Sequence, residues 1–570
     1  MGLASAWDHS ADVIVVGSGN GALTAALCCY EMGLPDTLVI EKSDRYGGTS
    51  AISGGGIWIP NNHLAAEAGA SDSLEDARAY LQATLPARVA PERVEAYLRQ
   101  APHMLRFLHE RTRVRYRSLA QYPDYYTDRP GARTGHRSLE PEPIHVSALG
   151  AEWRRLRTTH QMMHLQGRIA FTSAEAHVLL TRSDGFWPLV LRLMAGYWLD
   201  VPWRLRSPLS RRIACGSAGV ARLRLSMIDR GLPLWLETPM TALVADDSGR
   251  VEGVEVQRGG RTLRLQARRG VVLAAGGFEA NQAMREQYLP SPTSADWSAG
   301  CKTNTGDAIR AAMAIGAAVD QMDGAWWCTT FCTPGEPLPR LAIMEKSLPG
   351  SCVVDRSGAR IANESQNYMA YQLALFARHS AERPCVPAWM VFDARFRRSY
   401  LAGPLLTARD LPDRRIPQAW IEQGFVTIAP TLDELAARTG IDAAGLGTTI
   451  ARMNDYAGSG RDLEFQRGDT AYDRYYGDPR VQPNPCLAPI AEPPFYALRM
   501  EPGDFGTHGG LVTDPEARVL DAHRRPIPGL YATGNCSSAL LPSYPGPGAT
   551  LGPAMTFAWQ AARHLTGWRP

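Results

Sequence analysis

The chain has 570 residues, which at roughly 150 residues per domain leaves room for three or four domains, or fewer large ones, and for a sizeable core. Hydrophobic residues at 45% and charged residues at 21% exclude a disordered, collagen-like or coiled-coil protein. The 60 basic and 57 acidic residues leave a net charge of +3, too little to mark a nucleic-acid footprint, so no nucleic-acid partner is expected.

The first eleven residues, MGLASAWDHSA, lack a basic segment followed by an apolar one, so no cleaved secretory signal is expected. The β-branched run Val13-Ile14-Val15-Val16 predicts a buried strand that passes directly into Gly17-Ser18-Gly19-Asn20-Gly21-Ala22. Leu23, Ala26, Leu27 and Tyr30 then recur at helical spacing, with Gly33 just past the expected C-terminus. A second strand over Thr37-Leu38-Val39-Ile40 ends at Glu41, 24 residues beyond Gly17, where a dinucleotide-binding unit carries its ribose-binding acid. In such a unit Gly17 makes the tight turn, Gly19 lets the backbone approach the pyrophosphate, and the small Ala22 permits helix and strand to pack closely. The alternative is a strand–helix turn without ligand; the order strand, turn, helix, strand, acid favours the nucleotide.

Residues 47–56 are too rich in glycine for a helix or strand interior. They are read as a backbone loop against a cofactor, through Gly48, Thr49, Ser50, Ser53, Gly55 and Gly56, in preference to a flexible surface loop, because the apolar Ile57-Trp58-Ile59-Pro60 follows. Residues 186–199 form the most apolar long stretch, but Pro188 and Arg192 interrupt it and it falls short of the roughly 18 apolar residues of a spanning helix. From 186 to 212, Trp187, Leu189, Leu193, Trp198 and Trp203 mix with Arg192, Arg204, Arg206, Arg211 and Arg212. That mixture suits a membrane-interface segment or a packed, partly exposed excursion, and Pro188 and Pro202, as breaks in helical periodicity, favour the second.

Residues 251–274 predict two strands turning at Gly259-Gly260 and a third, Val271-Val272-Leu273, that ends in Ala275-Gly276-Gly277. From Trp326 to about Gly503 prolines and aromatics accumulate and βα alternation fades, which predicts a separate α+β domain. Residues 529–535 again read as a strand entering a glycine turn, and Pro553 starts a last helix through Leu565. The ten cysteines show no paired CxxC or CxxCH spacing, so no metal site and a reduced, cytosolic thiol set are expected. No second strand–GxGxxG–helix unit exists, so the electrons are expected to come from an organic substrate and not from a nicotinamide.

The fingerprint with Glu41, the 47–56 loop, Asn304-Thr305-Gly306-Asp307, Tyr531-Ala532-Thr533-Gly534-Asn535 and Tyr544-Pro545-Gly546-Pro547-Gly548-Ala549-Thr550-Leu551-Gly552-Pro553-Ala554 together resemble the 3-ketosteroid Δ1-dehydrogenases of the fumarate reductase and succinate dehydrogenase flavoprotein group. Trp326-Trp327 and residues 471–479 extend the resemblance over nearly the whole chain, and Tyr-Pro-Gly-x-Gly is its specific element. It implies an α/β fold with a discontinuous Rossmann-like FAD-binding domain, residues 1–327 and 505–570, and an inserted α+β substrate domain, residues 328–504. It implies FAD, contacted also by Gly276, Asp307, Gly534, Asn535 and Leu551. The cofactor is expected to be non-covalent, because Thr49 and Ser50 stand where flavinylated relatives carry a histidine. Leu541-Pro542-Ser543 departs from the pattern and is expected to reshape the pocket rim.

Taking hydrogens from C1 and C2 of a 3-ketosteroid needs a base for the C2 proton, a donor to the C3 enolate oxygen and a hydride acceptor, flavin N5, for C1. The resemblance assigns the oxygen to the Tyr544 hydroxyl and the Gly548 N–H, donors of a kind worth about 3–4 kcal/mol each in acyl transfer. It assigns the base to Tyr368, behind Asn363-Glu364-Ser365-Gln366-Asn367, assisted by Tyr125 with Tyr126 as the near rival. A free phenol titrates near pH 10, so a hydrogen-bonded pair is needed to make one tyrosine a usable base. Each tyrosine has a plainer reading as a buried core phenol. The helix at Pro553 is expected to aim its positive end at the flavin pyrimidine, and His508 to be a loop residue without acid–base work. The implied partners are a 3-ketosteroid and an external electron acceptor, a quinone or another; the implied place is the cytoplasm, peripheral to the inner face of the membrane if residues 186–212 are interfacial. The alternatives are a 3-keto-5α-steroid Δ4-dehydrogenase, a fumarate-type enoate reductase, for which no arginine stands beside the flavin segments, and a flavin-binding protein without turnover, which would lack the tyrosines.

Overall fold

In β1 (His9–Val16) every residue from Val13 onward is buried, and the following α1 (Asn20–Glu31) is buried from Asn20 to Cys29, so this first hairpin of elements forms the centre of the molecule and not its surface. The structure, a computed structural model, describes residues 7–181 and 183–569; the first six residues of the amino-terminal stretch lie outside them. β2 (Thr37–Ile40), wholly buried, pairs parallel to one edge of β1, and Leu234–Trp235 pairs parallel to β2.

The other edge of β1 takes a single strand, Arg261–Leu273, where the sequence suggested two. A register shift between Ala11 and Val13 lets it run through without a turn. Its first half pairs antiparallel with Val251–Arg258, which in turn pairs with Met240–Ala245, a strand without a clear signature in the sequence. Its second half pairs parallel with Pro526–Ala532, so the chain leaves this sheet near residue 273 and returns to it near residue 526. The last helix starts at Leu551, two residues before Pro553, and packs on α1. Pro553 therefore sits in the first turn, where a missing N–H costs nothing.

Between departure and return lies a four-stranded antiparallel sheet: Ser351–Val354, Ala388–Phe392, Phe495–Met500 and Val426–Ala429, in that spatial order. Two apolar cores cover its faces, one around Phe392, Phe396 and Tyr496, the other around Trp389, Leu435 and Ile450. Tyr368, Met369, Tyr472 and Tyr476 belong to this stretch of chain, yet their side chains join the core of the first sheet. The helix Phe186–Trp198 carries Pro188 in its first turn, so that proline opens the helix and does not break it; Pro202 opens the next short helix, Val201–Arg204. Among the described residues no helix is long and apolar enough to cross a membrane, no acid and His/Cys group has metal-site geometry, and all ten cysteines are free.

A buried ionic network ties the second sheet to the segment before Tyr368. Arg360 forks onto Glu364 at 2.6 and 2.9 Å and onto Asp462 at 2.8 and 3.0 Å. Arg467 uses all its N–H groups, on the Ser365 hydroxyl, the Glu364 carboxylate and the carbonyls of Ser351, Lys346 and Leu348. Removing one member leaves the others charged or unpaired in a dry interior. Arg467→Met is accordingly expected to cost about 3–5 kcal/mol of unfolding free energy in a denaturant titration, and a loss below about 1 kcal/mol would show the network to be solvated.

Candidate active site

The carboxyl ends of the parallel strands open into one cavity of about 870 Å³. At its floor Gly17 has φ +110°, and a Cβ there would stand 2.3 Å from the Ala274 carbonyl oxygen, so only glycine fits. Gly19 has no capping side chain of its own, and its missing Cβ would lie 3.0 Å from Ser50 Oγ; that hydroxyl accepts from the Asn20 N–H at 3.1 Å at the start of α1, which opens at the cavity. Gly17, Gly19 and Gly21 line the cavity; Ala22 does not. Ala22 is fully buried in the core because the helix turn that exposes Gly21 rotates the next residue away, so its part is packing and not contact. Glu41 lines the cavity with its carboxylate accepting from the Ser18 hydroxyl and, at 2.9 Å, from the Ser43 N–H. Asp307 faces it too, held by Lys42 at 2.6 Å.

Residues 48–52 are helical despite their glycines: a five-residue helix, Gly48–Ile52, starts after Gly47 at φ +114° and buries Ala51 and Ile52. Packing overrides propensity here. Gly48, Thr49, Ser50, Ser53, Gly55 and Gly56 all line the cavity, and Gly55, at φ +72°, leaves only 2.6 Å between a Cβ and the Gly216 backbone. Gly276, Gly534, Asn535 and Leu551 complete this end, and the last helix begins at the cavity with no side-chain cap on its N–H groups.

The other end is a stack of phenols. The Tyr125 hydroxyl donates to the Tyr368 oxygen at 2.9 Å, and the ring centroids of Tyr125 and Tyr368 lie 5.6 and 5.5 Å from that of Tyr544. Tyr126 turns away and donates to the Ser543 carbonyl at 2.7 Å, which settles which neighbour meets Tyr368. Tyr544 sits at φ +58°, a left-handed conformation costly for a residue with a bulky side chain. Its turn is clamped: the Pro545 carbonyl accepts from the Tyr80 hydroxyl at 2.6 Å and the Tyr125 N–H at 2.8 Å, and Cβ atoms at Gly546 and Gly548 would meet Trp58 and the Ile57 backbone at 2.5 Å. Tyr368, Thr550 and the Gly548 backbone are the neighbours that pull the Tyr544 phenol down.

Burial pushes Tyr368 and Tyr125 well above the ordinary phenol range, and pushes Tyr544 up against the opposing pull of its donors. Pairing alone therefore does not make a tyrosinate here; all three stand as neutral donors. Tyr122, Tyr475 and Tyr476 also line the cavity, Tyr122 bonding Tyr476 and stacking on Tyr475 at 4.7 Å. Sequence reasoning passed over these three, although the density of tyrosines in residues 471–476 is a visible signal. His508 is buried beside Trp326 and not on a loop surface; burial holds it down at about 4, and it stays out of the cavity lining, as do Leu541, Pro542 and Ser543, which lie beneath the Tyr544 turn. The far wall is Phe186, Val190 and Met194.

Residues 12–551 match the FAD binding domain family. The 3-oxosteroid 1-dehydrogenase of Mycobacterium tuberculosis is 40% identical over 564 residues, which is 97% of this chain and 98% of that protein. The chain belongs to the 3-ketosteroid Δ1-dehydrogenase family of FAD-binding flavoproteins. The crystal structure of 3-ketosteroid Δ1-dehydrogenase from Sterolibacterium denitrificans in complex with 1,4-androstadiene-3,17-dione superposes with a TM-score of 0.95 at 46% identity, covering 98% of this chain and 100% of that one. The 4-oxocyclohexanecarboxylate 2-dehydrogenase of Sinomonas cyclohexanicum is 38% identical over 98% of this chain and 93% of that protein.

FAD fits the end of the cavity built from the two helix N-termini, the close glycine backbones and Glu41. Thr49 and Ser50 offer hydroxyls and no imidazole to that end, so acid precipitation is expected to release the flavin into the supernatant, and flavin retained in the pellet would contradict non-covalent binding.

Proposed function

We propose that the protein is an FAD-dependent 3-oxosteroid 1-dehydrogenase that removes the C2 proton and C1 hydride of a 3-ketosteroid. The observation that carries the reading is the Tyr125–Tyr368–Tyr544 stack at one end of the flavin-binding cavity. The flavin domain is formed by residues 1–327 and 505–570, with residues 328–504 as an inserted catalytic domain. Bound in the cavity, FAD supplies the two-electron acceptor for the hydride.

The chain's own residues handle the proton and the oxygen. Tyr544 and the Gly548 N–H donate to the C3 oxygen, and their strength there is enhanced by the absence of water. Tyr368 receives the C2 proton. It does so as a tyrosinate, having first released its own proton to solvent, and the Tyr125 hydroxyl, donating to the Tyr368 oxygen at 2.9 Å, stabilises that anion against the burial that disfavours it. A monocyclic keto acid, the substrate class in the Sinomonas relative's name, is less suited: it needs a cationic clamp at the tyrosines, and of the arginines lining the cavity Arg340 is paired with Glu336 while Arg157 donates to Ser43, next to Glu41 at the flavin end. An external acceptor, a quinone or another, reoxidises the flavin.

A weak contact with a membrane surface belongs to the same reading. The inner face of the helix Phe186–Trp198 walls the cavity while Trp187 and Leu191 are two-thirds exposed on its outer face, with Leu199 and Leu205 beyond them exposed by 80% and 86%. Of the arginines in residues 192–212, Arg192 and Arg212 pair with Glu175 and Arg211 with Asp200, so the apolar tips carry this reading.

Two experiments test these readings. Tyr368→Phe should retain FAD and slow single-turnover bleaching by a 4-ene-3-ketosteroid about 10²–10⁴-fold, and Tyr544→Phe should slow C2 proton exchange as well, with a 3-hydroxysteroid giving no bleaching; wild-type rates in both variants would return these phenols to packing. Flotation with anionic vesicles should carry the wild-type protein and leave a Trp187→Ser, Leu191→Ser variant behind; absence of wild-type protein from the floated fraction would make the segment a partly exposed excursion.

A further inference from the structure

Glu279 is fully enclosed behind the wall of the flavin end of the cavity. Its Oε1 accepts from the Asn304 amide at 2.7 Å and from the Thr49 hydroxyl at 3.4 Å, and Oε2 accepts from the Thr507 N–H at 3.5 Å. Asn304 and Thr49 are themselves cavity-lining residues, so the carboxyl is one side chain removed from the cofactor. Cβ atoms on Gly277 and Gly300 would stand 2.9 and 2.8 Å from its oxygens, which leaves no room for a solvent layer.

Among the described residues no cation pairs with the carboxyl. Asp504, on the neighbouring strand Asp504–Thr507, takes the Arg285 guanidinium at 2.7 Å, and Arg285 reaches only the Glu279 backbone carbonyl. Asp307 takes Lys42, while Lys302 donates to the carbonyls of Ala295 and Ser298. The thiols of Cys301 and Cys536 are the other groups on adjoining segments, Cys536 pushed up to about 12 by burial, and His508 beyond Thr507 is held neutral. Burial, with the Asp504 charge behind it and the Asn304 amide opposing, raises Glu279 to about 7.

We propose that Glu279 is the proton-coupled tuning group of this cofactor site: it binds a proton when the cavity gains negative charge, and so ties the reduction potential to pH. The inference rests on FAD occupying the cavity. A hydride brings two electrons and one proton and leaves one net negative charge; one proton from solvent then adds to the Glu279 carboxylate, and no other bond changes. Below about pH 7 Glu279 is already protonated in both redox states and contributes nothing. Above it, reduction takes up one proton more, a tenfold change in the two-electron equilibrium per pH unit, or about 30 mV.

The test is the flavin midpoint potential of the holoenzyme across pH 6–9 for wild type, Glu279→Gln and Glu279→Asp. The expected result is a limb above pH 7 that is steeper by about 30 mV per pH unit in wild type than in Glu279→Gln, kept in Glu279→Asp, with the wild-type and Glu279→Gln curves converging at low pH. Parallel wild-type and Glu279→Gln curves would overturn the proposal. If Glu279→Gln fails to fold, proton uptake on photoreduction of wild type decides: one more proton per flavin at pH 8 than at pH 6 supports it, and equal uptake overturns it. A protein that binds no FAD at all would instead sink the reading of the cavity.

Discussion

The hydrogen bond between Tyr125 and Tyr368 joins side chains 243 residues apart, and the rest of the site depends on both ends being held still. On the Tyr125 side, the preceding Asp124 carboxylate accepts from the Trp58 indole and the Arg137 guanidinium, each at 2.8 Å, while the Tyr125 N–H is spent on Pro545. On the Tyr368 side, Lys346 donates to the carbonyls of Glu364 and Gln366, and Asn367 caps the helix Tyr368–Arg378 by accepting the Ala370 N–H. A phenol carried on a free loop would wander by more than the few tenths of an ångström that proton transfer tolerates. The buried charges are costly in themselves, and what they secure is position.

Dryness is the second constraint, and at the phenols and the buried groups around them it disfavours charge, whereas Lys42 holds the carboxyl of Asp307 on the cavity wall below its usual range. Dryness raises the phenols, raises Glu279 and Asp124, and lowers Lys346 to about 8 and His508 to about 4. Each of these shifts disfavours charge. A site built this way holds neutral donors at rest and admits charge only where it is generated and met by an aimed dipole, which is the condition under which hydrogen-bond donors contribute most to lowering a barrier.

The parts legible in the sequence are those whose requirements are local. A phosphate-binding turn demands glycine at Gly17 because Ala274 approaches within a Cβ radius, and that demand shows as a pattern of a few residues. The same locality misled at residues 48–52, where glycine content argued against a helix that contacts with the helix Cys215–Ile228 stabilise, and at Val271–Leu273, whose continuity with Arg261 depends on a register shift opposite β1. Ala22, read as the small residue that lets helix and strand pack, is buried in the core and packs there without lining the cavity. The partnership of Tyr122 with Tyr476, 354 residues apart, and the sealing of Glu279 by Gly277, Gly300 and Thr507 have no local signature, since either residue alone reads as an ordinary polar side chain.

The two constraints meet at the cavity mouth. A site that needs water excluded must be closed either by a moving lid or by the substrate itself, and the walls here are apolar: Phe186, Val190 and Met194 on the helix Phe186–Trp198, and Leu401 and Leu406 in the irregular stretch after the helix Ala394–Ser399. An apolar ring system entering between them gains about 2.5 kcal/mol for each 100 Å² of surface it removes from water, and in the proposed mechanism this completes the enclosure in which Tyr544 and the Gly548 N–H would act. Binding energy from rings far from the carbonyl is thereby converted into electrostatic strength at the carbonyl, so a truncated ketone that leaves the mouth wet should lose rate at saturation and not only affinity.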